Sequence, residues 1–187
     1  MTLAQIMTLA LRQLDEDPAD ISEYDDLFRM YANEGYQIVM RDMYKPREHF
    51  DFETDKSGTA DIKDRGIIRI VELKDGWGRD IWFEMAVDGT TIYTREREKV
   101  LHAVAEIEAV PIYRDTDEPQ FPEFAHGCLV DYVCYRHLSA GNMGKQQRAQ
   151  FFLNQFYQQA RRIRPQGMGS VTRMKNLYAV TDARYTR

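Results

Sequence analysis

Four side chains of zinc-ligand type, His126, Cys128, Cys134 and His137, fall within twelve residues of one another. Thiolate and imidazole are the donors of a tetrahedral zinc site, so this is where metal chemistry would start. The spacing argues against it. It is neither that of a finger nor of a knuckle, and the segment reads as one helix, which cannot aim all four groups at one ion. The reading is core cysteines with histidines on the polar face. Cys128 and Cys134 diverge by roughly 120° on such a helix, so a disulfide between them is not expected.

No other constellation stands out. The chain has no glycine-rich phosphate loop, no dinucleotide fingerprint, no H-E-x-x-H and no G-x-S-x-G. The acidic clusters Asp15 to Asp20 and Asp115 to Glu118 lie beside prolines at helix junctions, where acids serve as caps and turn formers. The expectation is a non-enzymatic protein with no catalytic residue, no metal and no cofactor.

Charge is unevenly distributed. The net charge of −5 divides into 18 basic and 29 acidic residues before Arg161, and seven basic residues against Asp182 from there on. The body therefore carries −11 and the end of the chain +6, which argues against general nucleic-acid affinity of the body and for an acidic neighbour of the tail. The 11 tyrosines and 9 phenylalanines fall mostly at core spacing, with a share left for protein interfaces.

The elements that position these groups follow from periodicity. Leu3, Ile6, Met7, Ala10, Leu11 and Leu14 form one helical stripe, which reads as folded structure rather than a leader. Ser22 is placed as the cap of a second helix, whose face of Leu27, Phe28, Tyr31, Gly35, Ile38 and Val39 runs to Pro46. From Phe50 the pattern turns to strand. Ile67 to Leu73 is compact and β-branched, Lys74 to Gly78 is a turn, Ile81, Phe83, Met85 and Val87 alternate, and Asp88-Gly89 predicts a hairpin into Thr90 to Thr94. Residues 95–113 suit helix or strand, and roughly 102–113 is assigned to strand.

Beyond a linker at Asp115 to Pro122 come two more helices. Phe124, Cys128, Leu129, Tyr132, Val133 and Tyr135 share the surface of one, which Gly141-Asn142 is expected to end. Ala149, Phe152, Phe156, Ala160 and Ile163 line the other, which Pro165 ends. The fold class is α+β: about four helices in a bundle, an antiparallel β-rich insertion between the second and third, and an extended tail. Residues 1–167 form a single domain (helices in 1–46 and 121–165, insertion 50–113), and 168–187 form the basic tail. No apolar run is long enough to span a membrane.

This order of parts resembles the head-to-tail adaptor (connector) proteins of tailed bacteriophages. The resemblance is carried by Ile112-Tyr-Arg-Asp-Thr-Asp-Glu-Pro-Gln-Phe-Pro-Glu-Phe-Ala-His126, by Leu129-Val-Asp-Tyr132 and Tyr135-Arg-His-Leu138, and by Arg148-Ala-Gln-Phe-Phe-Leu153 leading to Phe156. These are packing signatures, including a Pro-Glu-x-x-His lead-in to a helix, and with the two N-terminal helices the likeness covers about four fifths of the chain.

The resemblance implies a structural virion protein at the head–tail interface, assembled in the host cytoplasm. Twelve copies would form a ring under the portal protein, extend the channel through which genomic DNA passes without sequence-specific binding, and offer a docking platform to tail or nozzle proteins. It also implies a C-terminal anchor in the portal, carried here onto Val171, Arg173, Lys175, Leu177, Tyr178 and Tyr185. The alternatives are a cytosolic nucleic-acid-binding or regulatory module that uses the basic arm, and an enzyme whose site has no familiar motif.

Overall fold

The computed structural model describes residues 1–17, 19, 21–139 and 141–165. Four α-helices and two small antiparallel sheets make up the described residues, in the order helix pair, strands, helix pair. Helix α1 (Leu3–Gln13) opens on a capping box: Thr2 accepts from the Gln5 N–H, and the Gln5 side chain accepts from the Thr2 N–H. Helix α2 (Ile21–Ile38) begins before Ser22, so that serine lies inside the first turn and is not the cap expected of it. The helix widens into a π-helical turn at Val39–Tyr44 and stops where Lys45 turns left-handed (φ 50°) ahead of Pro46, with the Lys45 N–H on the Met40 carbonyl.

Helix α3 (Gly127–Ser139) is buried around most of its circumference and packs against α1, α2 and α4 (Met143–Ala160). Gly141 follows α3 as expected, but Asn142 does not end that helix. Its side chain accepts from the Lys145 N–H and so caps the start of α4. The stripe Ala149, Phe152, Phe156, Ala160 and Ile163 is wholly buried, and each such phenylalanine contributes about 2–3 kcal/mol of burial.

Between the helix pairs lie β1 (Arg47–Glu53), β2 (Thr59–Asp61), β3 (Ile67–Lys74), β4 (Phe83–Met85), β5 (Thr91–Thr94) and β6 (Val100–Ile107). One sheet has the order β1-β6-β3 and the other β2-β5-β4. The two are linked by the Asp55 N–H on the Thr59 carbonyl at one side and by the Ile81 N–H on the Leu73 carbonyl at the other, and they enclose one apolar core, a barrel-like unit called the barrel below. The insertion starts at Arg47, earlier than Phe50. Its last strand is 100–107 and not 102–113, because Leu101, Ala103 and Ala105 alternate inward only that far.

The barrel's many aspartates are turn formers. Asp55, Asp75 and Asp88 each accept backbone N–H groups two residues on, at Ser57, Trp77 and Thr90. Gly58 (φ 83°) is required at the first turn, since a Cβ there would come to 2.2 Å from the Thr94 carbonyl oxygen. The molecule has two apolar cores. One fills the barrel with Phe52, Ala60, Ile62, Ile70, Leu73, Ile92, Leu101, Ala103 and Ala105; the other joins all four helices.

Candidate functional site

The four zinc-type residues do not converge, and among the described residues no three His, Cys, Asp or Glu side chains gather where they could hold a metal. Cys128 and Cys134 are buried free thiols. Burial first, and the Asp131 charge second, push both thiols up, Cys134 to about 12. A thiol so held is neither a nucleophile nor a ligand at neutral pH. Cys134 instead donates weakly toward the Ala10 carbonyl and the Gln13 side chain of α1.

His126 is not on a polar face, as the helical spacing suggested. It is 3% exposed and sits where a 3-10 turn (Glu123–Ala125) runs into α3. Its Nε2 donates to the Phe121 carbonyl at 2.7 Å, which leaves Nδ1 to accept from the Met1 amine at 2.9 Å. The Phe121 ring meets the imidazole edge-on. The Pro-Glu-x-x-His lead-in is thus a clasp: the histidine fixes the turn that aims α3 and ties it to the start of α1.

The acidic linker is built into the same bundle. The carbonyls of Asp117 and Asp115 accept from the Leu3 and Ala4 N–H groups, satisfying donors that the first turn of α1 leaves open. The Asp117 carboxylate accepts from the Tyr113 and Arg114 N–H groups, and these bonds hold its pKa below the usual aspartate range.

Sequence reasoning missed the device that returns the chain from the barrel. Arg29, Asn33 and Gln37, each four apart on α2, grip the backbone of 109–113. Gln37 donates to the Ala109 carbonyl at 3.2 Å, Asn33 both donates to and accepts from Ile112, and Arg29 donates to the Tyr113 carbonyl at 2.7 Å while pairing with Asp25 and Asp115. The readable signal was three polar residues at i, i+4 and i+8 beside an apolar stripe.

Comparison with known proteins gives no match to any family model and no match to a curated protein. Two clefts lie beside the junction of barrel and bundle, where Gln37, Met40, Arg41, Ile68 and Ala109 line one and Tyr44, Arg47, Glu48 and Val110 the other. Neither gathers a nucleophile with a base.

Large apolar side chains are nevertheless exposed. On the barrel, Trp77, Trp82 and Tyr93 face outward, with the Arg95 guanidinium 5.9 Å from the Trp82 ring. Aromatic and arginine side chains of this kind are enriched at the centres of protein interfaces. Val171, Arg173, Lys175, Leu177, Tyr178 and Tyr185, onto which the resemblance carries a portal anchor, lie outside the described residues. No helix among the described residues is long and apolar enough to cross a membrane.

Proposed function

We propose that the chain is a structural head-to-tail adaptor of a tailed bacteriophage. Copies of it, twelve by the resemblance, form a ring beneath the portal, extend the DNA channel and give the tail or nozzle proteins a platform. The observation that carries this reading is the placement of the elements. Two N-terminal helices and two further helices close on one bundle core, with the barrel and its own core inserted between the pairs, and the resembling stretch 112–126 is the clasp and strap that hold the bundle together. Residues that recur for packing reasons are what a structural subunit needs.

Charge supports the same reading. DNA passing through a ring is not retained by an acidic wall, because there is no phosphate neutralisation to release counterions. The basic tail suits an acidic, partly apolar groove on the portal, with Val171, Arg173, Lys175, Leu177, Tyr178 and Tyr185 as its contacts and the virion neck as its final location.

The test is a pull-down on the cognate portal protein, using the full chain and a chain truncated after Gly169. Capture of the full chain and loss on truncation is the expected result. Capture of both forms moves the contact to the folded body. Capture of neither, with salt-dependent retention on DNA, would replace the adaptor with a nucleic-acid-binding module.

A further inference from the structure

Two helices of the bundle expose faces of opposite charge with matching apolar centres. On α2, Glu23, Asp26, Leu27, Met30 and Glu34 fall within one arc of about 100° at 3.6 residues per turn. That arc points away from the buried residues Phe28, Ala32, Gly35 and Tyr36. Met30 is 55% exposed, and no basic residue lies on the stripe.

Residues 141–165, which include α4, hold Lys145, Arg148, Arg161, Arg162 and Arg164 and no acid at all. The outward side of α4 carries Gln147, Phe151, Asn154 and Gln158, with Phe151 56% exposed, and it runs into the exposed Arg161 and Arg162. The acidic stripe spans about 16 Å and the run from Arg148 to Arg161 about 20 Å at 1.5 Å per residue. The α2 face is thus acidic around an apolar centre, whereas the outward face of α4 is neutral around Phe151 and basic at its C-terminal end, Arg148 being turned toward Asp15.

The chain itself does not bring these faces together. Both helices pack on α3, and they do not form a helix pair with one another. Part of the charge is answered internally, since Glu34 pairs with Arg136 and Arg148 with Asp15. Glu23, Asp26, Arg161 and Arg162 have no ion-pair partner among the described residues.

We infer that the partner of each face is a second copy of this chain: α4 of one copy docks on α2 of the next, Phe151 seating against Met30 while the long side chains of Arg161 and Arg162 reach back toward Glu23 and Asp26. A contact between unlike faces is heterologous, and repeated around an axis it closes a ring. The apolar centres favour a protein partner over phosphate, because a nucleic-acid surface would gain nothing from the exposed Met30 and Leu27 opposite. The inference rests on the ring in the proposed function and names its contact.

A charge exchange tests it on the full chain. E23K/D26K makes both faces basic, and R161E/R162E makes both acidic. In sedimentation velocity at low salt, the wild type is expected to associate with rising concentration, and each variant alone to weaken that association at least about tenfold. An equimolar mixture of the two is expected to restore it, since each contact then joins opposite charges. A chain carrying both Met30→Cys and Phe151→Cys should form disulfide-linked oligomers on oxidation, the native cysteines being buried.

Association indifferent to both variants, a mixture that stays apart, or a wild type that remains monomeric and forms no such crosslink would overturn the contact. Loss of DNA retention in R161E/R162E with unchanged self-association would overturn it too and give α4 to nucleic acid. Restoration in the mixture without portal capture keeps the contact and removes the adaptor. Portal capture with association blind to the charge exchange does the reverse.

Discussion

Asn33 of α2 and Ile112 of the returning strap exchange two hydrogen bonds: the Asn33 Oδ1 accepts from the Ile112 N–H at 2.9 Å, and its Nδ2 donates to the Ile112 carbonyl. The side-chain amide pairs with that peptide as a neighbouring strand would, on a segment that has left the sheet. Asn33→Ala leaves a half-buried N–H and carbonyl unpaired and should cost about 1–3 kcal/mol in denaturant unfolding. Asn33→Asp keeps the acceptor but turns an anion on the Ile112 carbonyl, so it should lose as much. Wild-type stability in both variants would show that the strap does not depend on this pair.

Asp131 makes stability depend on pH in the less usual direction. It is 5% exposed on α3, accepts from the Gln159 Nε2 at 2.7 Å, and burial pushes its carboxyl up to about 6. With the folded value above the unfolded one, its contribution is fully present below about pH 4 and is lost as pH rises through about 6. Asp131→Asn should therefore flatten the stability profile across that window and add on the order of 1–2 kcal/mol at pH 8. Urea midpoints at pH 4, 6 and 8 measure this; an unchanged slope in the variant would assign the pH dependence elsewhere.

Glu106 acts with the opposite sign. Burial alone would raise its carboxyl, but Arg69 at 2.8 Å and Arg47 at 3.3 Å outweigh it and hold the pKa below the usual glutamate range. Its contribution is present above the unfolded pKa and is lost as pH falls through the folded one. Glu106→Gln should thus cost about 1–2 kcal/mol at neutral pH, discounted because Arg69 is largely exposed, and nothing in strong acid. Equal destabilisation at both extremes would mean that shape, not charge, holds the site.

These devices explain what was legible in the sequence. The helical stripes were readable because α1 and α4 bury one face each, so Leu3, Ile6, Ala10 and Phe152, Phe156, Ala160 fall at helical spacing. The α+β order was readable for the same reason, since Leu101, Ala103 and Ala105 line one side of β6. The strap was not, because Ala109 and Ile112 are as apolar as a strand but hydrogen-bond to side chains of α2, 72 and 79 residues away. His126 misled for a related reason: its partners, Phe121 and Met1, come from before its helix. The turns at Asp75 and Asp88 were readable because aspartate followed by glycine within a few residues is a turn signal, and both accept the N–H two residues on.

The separation of the two cores sets how damage spreads. Leu101 is 1% exposed at the centre of the barrel, opposite Phe52 in the β1–β6 register, and no residue of the helical core belongs to its cluster. Leu101→Ala should cost about 2–4 kcal/mol through lost burial and the cavity left behind. That loss should fall on the barrel alone, because the junction is a strap and a helix end rather than a shared core. Native-state hydrogen exchange is expected to show faster exchange at the β1, β3 and β6 amides and unchanged protection in α3. Uniform acceleration across both would mean that the strap couples barrel and bundle into one cooperative unit, with Asn33 and Arg29 as the coupling residues.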